Sequence, residues 1–224
     1  MYNRPRIPSN ESWVLSLPLL LIGGHTRSIG KTSLVVDLIR AFPDASWTAI
    51  KITQYGHGVC SLHGEPCGCA PHEHPFSLDE ERDRSNRTDT SRFLVAGAAG
   101  SLWLRTRQGQ LAAALPLLRD ALAQSTNVII ESNSLLAFLH PALYLVVLDP
   151  AASDFKDSAR LYLDRADAFV LRSPLPADEV AWPSVSPRLL EAKPLFLQPL
   201  GAPLPDALAS LVRLRFFVSG RVSS

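Results

Sequence analysis

The sequence carries little charge of either sign. Among 224 residues, 22 are lysine or arginine and 21 are aspartate or glutamate, which leaves a formal net charge of +1. This balance excludes the strongly basic surface that is typical of proteins that bind nucleic acid or anionic membranes. We therefore expect neither nucleic acid nor a membrane among the partners of this protein.

Long hydrophobic runs are also missing. The one apolar stretch that resembles the core of a signal peptide, residues 13–22, is too short to span a bilayer. It leads directly into a glycine-containing loop, which cleavage of a signal peptide would destroy. We therefore predict a buried strand at residues 17–22 and a cytoplasmic protein.

Cysteine is scarce and unevenly placed. The chain has three cysteines, an odd number, and all of them lie between Cys60 and Cys69. This pattern excludes a secreted disulfide framework and favours metal or redox chemistry. A chain of this length with 46% hydrophobic residues can bury one substantial core, so we expect a single domain over residues 1–224.

Short apolar runs alternate with amphipathic stretches along most of the sequence. Such alternation is typical of a mainly parallel sheet with helices on both faces, a three-layer α/β fold. The predicted strands are residues 17–22, 48–52, 101–105, 127–130, 143–148, 168–171 and 195–197, and the predicted helices are 32–41, 89–98, 111–123, 157–165 and 205–213. Residues 54–86 show no periodicity and are rich in Gly, Pro, His and Cys, which predicts a functional insert without regular structure.

A glycine-containing turn separates the first predicted strand from the first helix. It ends in the Gly-Lys-Thr of a phosphate-binding loop, but His25 stands where the usual spacing has glycine, and Gly24 comes one place too early. Such loops bind phosphate through free backbone N–H groups at a helix N-terminus. We predict that a nucleoside triphosphate, ATP or GTP, is bound by Gly24, His25, Thr26, Arg27, Ser28, Ile29, Gly30, Lys31, Thr32 and Ser33. Lys31 then reaches the terminal phosphates, and the Thr32 hydroxyl holds Mg²⁺.

Acidic residues follow two of the predicted strands. Glu131 comes directly after residues 127–130, where a carboxylate orients Mg²⁺ or water in folds of this kind, and Asp149 competes for the same role. Asp89 begins a predicted helix and serves either as a metal- or water-positioning carboxylate or only as the helix N-cap. We predict Lys31, Glu131 and Asp89 as the catalytic residues of a Mg²⁺-dependent nucleotide hydrolase. Hydrolysis should be slow, because the sequence singles out no arginine finger.

Several short motifs together resemble a known family. Gly-Lys-Thr-Ser-Leu at 30–34, the strand end at Lys51, residues 88–98 and Val-Ile-Ile-Glu-Ser at 128–132 follow the order of the accessory protein of molybdopterin-guanine dinucleotide biosynthesis. The resemblance covers about residues 17–150. It implies a P-loop NTPase fold, a biosynthetic partner protein in molybdenum cofactor synthesis and a homodimer. The family's loop also lacks glycine at the position of His25, which implies a working phosphate loop of a variant class.

The sequence departs from that family at three places. Thr88 stands where the family has lysine, Ile52 rather than histidine follows Lys51, and Ser-Asn rather than glycine follows Glu131. These departures weaken the assignment to molybdenum cofactor synthesis more than they weaken the prediction of phosphate binding.

A second resemblance implies a different role. Residues 129–149 and 164–174 are similar to the nickel-chaperone GTPases of urease and hydrogenase, which implies an NTPase that delivers a metal ion to a metalloenzyme partner. The guanine-reading Asn-Lys-x-Asp of those proteins would follow residues 168–171, but this chain continues with Arg172-Ser173-Pro174-Leu175, so the choice of base stays open. A further alternative is a nucleotide-bound scaffold without catalysis. Ready exchange of the bound metal would identify the metal-delivering NTPase. Nucleotide turnover measured with Mg²⁺ distinguishes an enzyme from the scaffold.

The insert contains the residues of a predicted zinc site. Zn²⁺ prefers thiolate and imidazole ligands in sets of four. We predict that Cys60, Cys67, Cys69 and His72 bind one Zn²⁺ ion, with His57, His63 and His74 as alternatives for the fourth ligand. A loop of free cysteines and solvated histidines is the simpler alternative, and an iron–sulfur cluster is disfavoured because it normally needs four thiolates.

Overall fold

We describe the fold from a computed structural model, which covers residues 18–56, 75–176 and 181–218. Its centre is an eight-stranded sheet. The strands are β1 (Leu19–Gly24), β2 (Trp47–Tyr55), β3 (Phe76–Glu80), β4 (Gly100–Arg107), β5 (Asn127–Glu131), β6 (Leu143–Leu148), β7 (Ala168–Leu171) and β8 (Leu195–Leu197). Their order across the sheet is β3-β4-β2-β5-β1-β6-β7-β8, and every neighbouring pair is parallel except β3 and β4.

Helices cover both faces of this sheet. They are α1 (Lys31–Ala41), α2 (Asp89–Ala96), α3 (Leu111–Leu122), α4 (Asp157–Arg160), α5 (Pro187–Glu191) and α6 (Asp206–Val212), with short 3-10 turns and a π-helical turn at Arg213–Val218. Within the described ranges, no helix is long and apolar enough to cross a membrane.

Alternating side chains of the central strand β1 build two separate cores. Leu20 and Ile22 belong to the cluster that contains Leu34 of α1, whereas Leu19 and Leu21 belong to the cluster that contains Leu118 of α3. Burial of each leucine contributes about 1.5–3 kcal/mol. The predicted α/β fold with a mainly parallel sheet between helices is confirmed.

Part of the prediction for residues 54–86 was wrong. Strand β2 continues to Tyr55, and Phe76–Glu80 forms the edge strand β3, antiparallel to β4. Phe76 and Leu78 pack against the core and alternate with the polar residues Ser77 and Asp79, but this period-two pattern covers only four residues and is too short to identify a strand on its own. The central part of the predicted insert lies outside the described residues.

Helix boundaries differ from the predictions where the backbone turns. Helix α2 ends at Ala96 instead of residue 98, because Gly97 adopts the left-handed conformation with φ of +109°. The helix predicted at residues 157–165 is the short α4 followed by a 3-10 turn at Leu163–Arg165. Helix α5 was not predicted, because five residues carry too little periodicity.

The parallel strands place their carboxyl ends at one edge of the sheet. Strand β1 lies between β5 and β6, with Ile22 opposite Glu131, and β2 follows β5 with Lys51 opposite the same glutamate. Ligands of open α/β sheets bind at this edge. The fold therefore brings the end of β1, Lys51 and Glu131 together.

Candidate functional site

The predicted phosphate loop, residues 24–33, joins β1 to α1. The backbone N–H of Gly24 donates to Asn133 Oδ1 at 2.8 Å, and that of His25 donates to Val147 O at 3.3 Å. The N–H groups of residues 26–33, in contrast, have no acceptor within the part of the chain that the structure describes. Free N–H groups at a helix N-terminus attract an anion. The donors available for phosphate thus begin at Thr26.

The backbone of this loop explains why position 25 needs no glycine. The left-handed residues of the loop are Ser28, with φ of 56°, and Gly30, with φ of 86°. Position 30 favours glycine because of its positive φ, and a Cβ atom there would also lie 3.0 Å from Nε of the buried Arg172. His25 is not among the residues with positive φ. The backbone therefore accepts a side chain at position 25.

The His25 side chain is a buried anchor and does not line the ligand site. It is fully buried, its ring stacks on Phe155 at 5.1 Å between centroids, and Trp182 lies at 5.0 Å. Its Nδ1 accepts a hydrogen bond from the backbone N–H of Asp149 at 3.4 Å. Burial lowers the pKa of the imidazole, which favours the neutral form. The ring thereby ties the phosphate loop to the chain that follows β6.

Lys31 and Thr32 begin helix α1 beside the carboxylate of Glu131. The Lys31 ammonium donates to Thr26 O at 2.8 Å, and burial lowers its pKa. The Thr32 hydroxyl donates to Glu131 Oε2 at 2.7 Å, and Glu131 is only 6% exposed. A hydroxyl and a carboxylate at this separation are hard oxygen donors of the type that Mg²⁺ prefers. The residues present therefore fit a magnesium ion next to the phosphate loop.

Lys51, Asp89 and Arg92 extend this cluster. Lys51 forms an ion pair with Asp89, and its ammonium lies 3.4 Å from Glu131 Oε1. Burial opposes the charge on Lys51, but the carboxylates of Glu131 and Asp89 outweigh it and raise the pKa of the ammonium. Arg92 Nη1 lies 3.6 Å from Asp89 Oδ1, and Arg92 Nη2 donates to Ser33 Oγ at 3.4 Å. The charged side chains thus alternate in sign with distance from the loop, in the order Glu131, Lys51, Asp89 and Arg92.

The structure places Asp89 one residue after the N-cap of α2, so the interpretation of Asp89 as the helix N-cap was wrong. The N-cap of α2 is Thr88, whose side chain accepts from the backbone N–H of Ser91, while Ser91 Oγ accepts from that of Thr88. Asp89 is the first helical residue, and its carboxylate faces Lys51.

Asn133 and Arg172 hold the phosphate loop, and sequence reasoning gave neither of them this role. The Asn133 amide accepts from Gly24 N and donates to Gly24 O, both at 2.8 Å. The buried guanidinium of Arg172 donates to Ile29 O at 3.3 Å and Gly30 O at 2.5 Å. Both residues follow buried strands directly or closely, and a polar residue at such a strand end is the signal that could have identified them.

These groups surround a cleft of about 700 Å³. It is lined by most of the phosphate loop, by residues 51–55 and 131–134, and by Asp89 and Arg92. The predicted catalytic residues Lys31, Asp89 and Glu131 therefore meet in one cleft. The competing carboxylate, Asp149, instead accepts hydrogen bonds from Ser173 Oγ at 2.7 Å and from Ala151 N at 3.1 Å.

The predicted zinc ligands Cys60, Cys67, Cys69 and His72 lie outside the described residues. Among residues 18–56, 75–176 and 181–218, no group of three or more His, Cys, Asp or Glu side chains is placed to hold a metal ion.

Comparisons with known proteins concern the fold alone. No family model and no curated protein matches the chain. The apo form of LpxK from Aquifex aeolicus in complex with ATP is similar with a TM-score of 0.45 and 16% identity, over 81% of this chain and 53% of that one. This chain thus spans about half the length of LpxK. HypB from Helicobacter pylori in complex with nickel is similar with a TM-score of 0.49 and 17% identity, over 92% of this chain and 88% of that one.

Proposed function

We propose that this protein binds a nucleoside triphosphate with Mg²⁺ in the cleft and hydrolyses it slowly. The observation that carries the proposal is that the backbone N–H groups of residues 26–33 have no acceptor among the described residues. Most of these residues line the cleft, together with Lys31 and with the Thr32 hydroxyl that contacts the Glu131 carboxylate. Backbone N–H groups, a lysine and a hydroxyl in this arrangement are typical of phosphate loops.

Each residue of the cluster has a role in this proposal. The N–H groups of the loop donate to phosphate oxygens, and the Lys31 ammonium exchanges its bond to Thr26 O for one to a phosphate. Thr32 and Glu131 would hold Mg²⁺, which would neutralise charge on the phosphates when bound. Glu131 also orients the attacking water. Asn133 and Arg172 position the loop from behind.

Replacing Lys31 with alanine is expected to weaken nucleotide binding by about 1.5–3 kcal/mol, because it removes a charge-assisted contact to phosphate. Isothermal titration calorimetry with Mg-ATP and Mg-GTP measures this loss. Lys193→Ala, at a lysine that does not line the cleft, is the matched control. Equal affinity of the Lys31→Ala variant and the wild type for both nucleotides would refute the phosphate-loop assignment.

Replacing Glu131 with glutamine is expected to reduce hydrolysis at least about tenfold while nucleotide affinity changes only a few-fold. Glutamine keeps the size of the side chain but removes the charge that faces Thr32. Phosphate release under single-turnover conditions measures the rate. An unchanged rate would transfer the role to Asp89 or Asp149, or show that no such carboxylate acts. A wild-type chain that binds Mg-nucleotide without turnover would support the scaffold alternative.

We further propose a role similar to that of the molybdopterin-guanine dinucleotide accessory protein, with a biosynthetic partner protein and a homodimer. Support comes from Lys51, Asp89 and Glu131, which the sequence resemblance identified separately and which lie in contact in the cleft. A metallochaperone that delivers an ion to a metalloenzyme is the alternative. Light scattering after size exclusion tests the dimer.

We also propose that the insert binds one Zn²⁺ through Cys60, Cys67, Cys69 and His72, within the single domain of residues 1–224. The close spacing of the thiolates supports this proposal. Elemental analysis of protein purified without an affinity tag should find about one zinc per chain that persists after chelation. Zinc that exchanges readily would favour the metallochaperone, and a folded metal-free protein would contradict the site.

A further inference from the structure

Three charged groups beyond the phosphate loop converge at one end of the cleft. Lys51 pairs with Asp89 through Oδ2, and Arg92 Nη1 lies 3.6 Å from the other oxygen, Oδ1. All three residues line the cleft. Two cations thus hold one carboxylate inside a cleft whose proposed ligand is itself an anion.

Glu131 connects this cluster to the phosphate loop. Its Oε2 accepts from the Thr32 hydroxyl at 2.7 Å, and its Oε1 lies 3.4 Å from the Lys51 ammonium. Under the proposed function, Thr32 and Glu131 would hold the metal ion that neutralises charge on the phosphates. Lys51 contacts the carboxylate oxygen of Glu131 that the Thr32 hydroxyl leaves free, so a cation of the cleft follows directly on the proposed metal-binding pair.

Arg92 is held loosely in its present position. Its contacts to Asp89 and Ser33 are single and long, 3.6 Å and 3.4 Å, and its side chain is 34% exposed. A guanidinium pairs with carboxylate and phosphate in the same forked geometry, and a forked pair is stronger than a single contact. A phosphate group is therefore able to replace the Asp89 carboxylate as the partner of Arg92.

We propose that Lys51 and Arg92 form the subsite for the terminal phosphate of a nucleoside triphosphate, and that Asp89 fills this subsite as a counter-ion in the nucleotide-free protein. The inference rests on the proposed function and deepens it, because it names the groups that distinguish a triphosphate from a diphosphate. Asp89 then acts as a competitor of the terminal phosphate, and Glu131 is the carboxylate that serves the metal together with Thr32.

The test is calorimetric titration of ATP and ADP with Mg²⁺, repeated with GTP and GDP, into the full chain and three variants. Arg92→Gln is expected to lose about tenfold in triphosphate affinity with diphosphate affinity unchanged. Asp89→Asn is expected to bind triphosphate several-fold more tightly, because the competing charge is gone. Arg87→Gln, at an exposed arginine just before α2, should match the wild type.

Each departure from these results has a separate meaning. Equal losses for triphosphate and diphosphate in Arg92→Gln, or no loss, would overturn the subsite. Weaker triphosphate binding by Asp89→Asn would overturn the counter-ion role and make Asp89 a ligand. Should Arg92→Gln fail to fold in a thermal melt, Arg92→Lys replaces it, and an unchanged ratio of the two affinities overturns the subsite. A wild-type chain that binds neither nucleotide overturns the proposed function itself, and the subsite with it.

Discussion

Replacing His25 with glycine, which restores the usual spacing of a phosphate loop, is expected to lower the free energy of unfolding by about 3–5 kcal/mol. The substitution removes a fully buried ring that packs on Phe155 and Trp182 and leaves a cavity. It also removes the acceptor for the Asp149 N–H. Glycine brings no compensating gain, because position 25 does not adopt a positive φ.

Urea denaturation of the nucleotide-free protein measures this change. His140→Gly, at an exposed histidine in a coil segment, is the matched control and should change stability far less. His25→Phe should recover part of the loss, since it refills the cavity without the acceptor. A His25→Gly variant as stable as the wild type would contradict the anchoring role of the ring.

Replacing Arg172 with leucine is expected to lower the free energy of unfolding by about 2–4 kcal/mol and to weaken nucleotide binding. The buried guanidinium donates to Ile29 O, Gly30 O and Gln198 O, and leucine leaves these carbonyls without that donor. Arg172→Lys should not restore stability, because one ammonium cannot reproduce the forked geometry.

Chemical denaturation combined with nucleotide titration measures both effects of the Arg172 substitution. The control is Arg188→Leu, at an exposed arginine of α5, which should change stability by no more than about 0.5 kcal/mol. Rescue of stability by Arg172→Lys would show that charge alone, rather than the geometry of the three carbonyls, matters at this position.

Much of the candidate site follows from the sequence because of one property of parallel sheets. Their carboxyl ends share an edge, so Lys31 after β1 and Glu131 at the end of β5 are predictable neighbours once both strands are recognised. The ion pair of Lys51 with Asp89 did not follow, because it depends on where α2 begins relative to β2. Strand assignment succeeded for long apolar runs and failed for the short edge strand β3.

The residues that support the phosphate loop could be identified from the sequence as polar residues at strand ends, but their partners could not. Asn133 and Arg172 bind backbone groups of Gly24 and Gly30 far away in the chain, and backbone groups leave no mark on the sequence. Arg172 attracted notice only because a guanine-reading motif is missing there. His25 was predicted within the phosphate loop, and the structure shows that its side chain packs in the interior instead.

Amide hydrogen exchange across the phosphate loop, measured with and without Mg-nucleotide, tests most directly whether the backbone N–H groups of residues 26–33 bind phosphate. These backbone N–H groups have no hydrogen-bond acceptor among the residues that the structure describes, so their hydrogens should exchange rapidly without ligand. We predict that nucleotide slows their exchange at least about tenfold, while amides of α3, on the opposite core, are unaffected. Nucleotide binding detected by calorimetry with unchanged exchange at residues 26–33 would contradict the account.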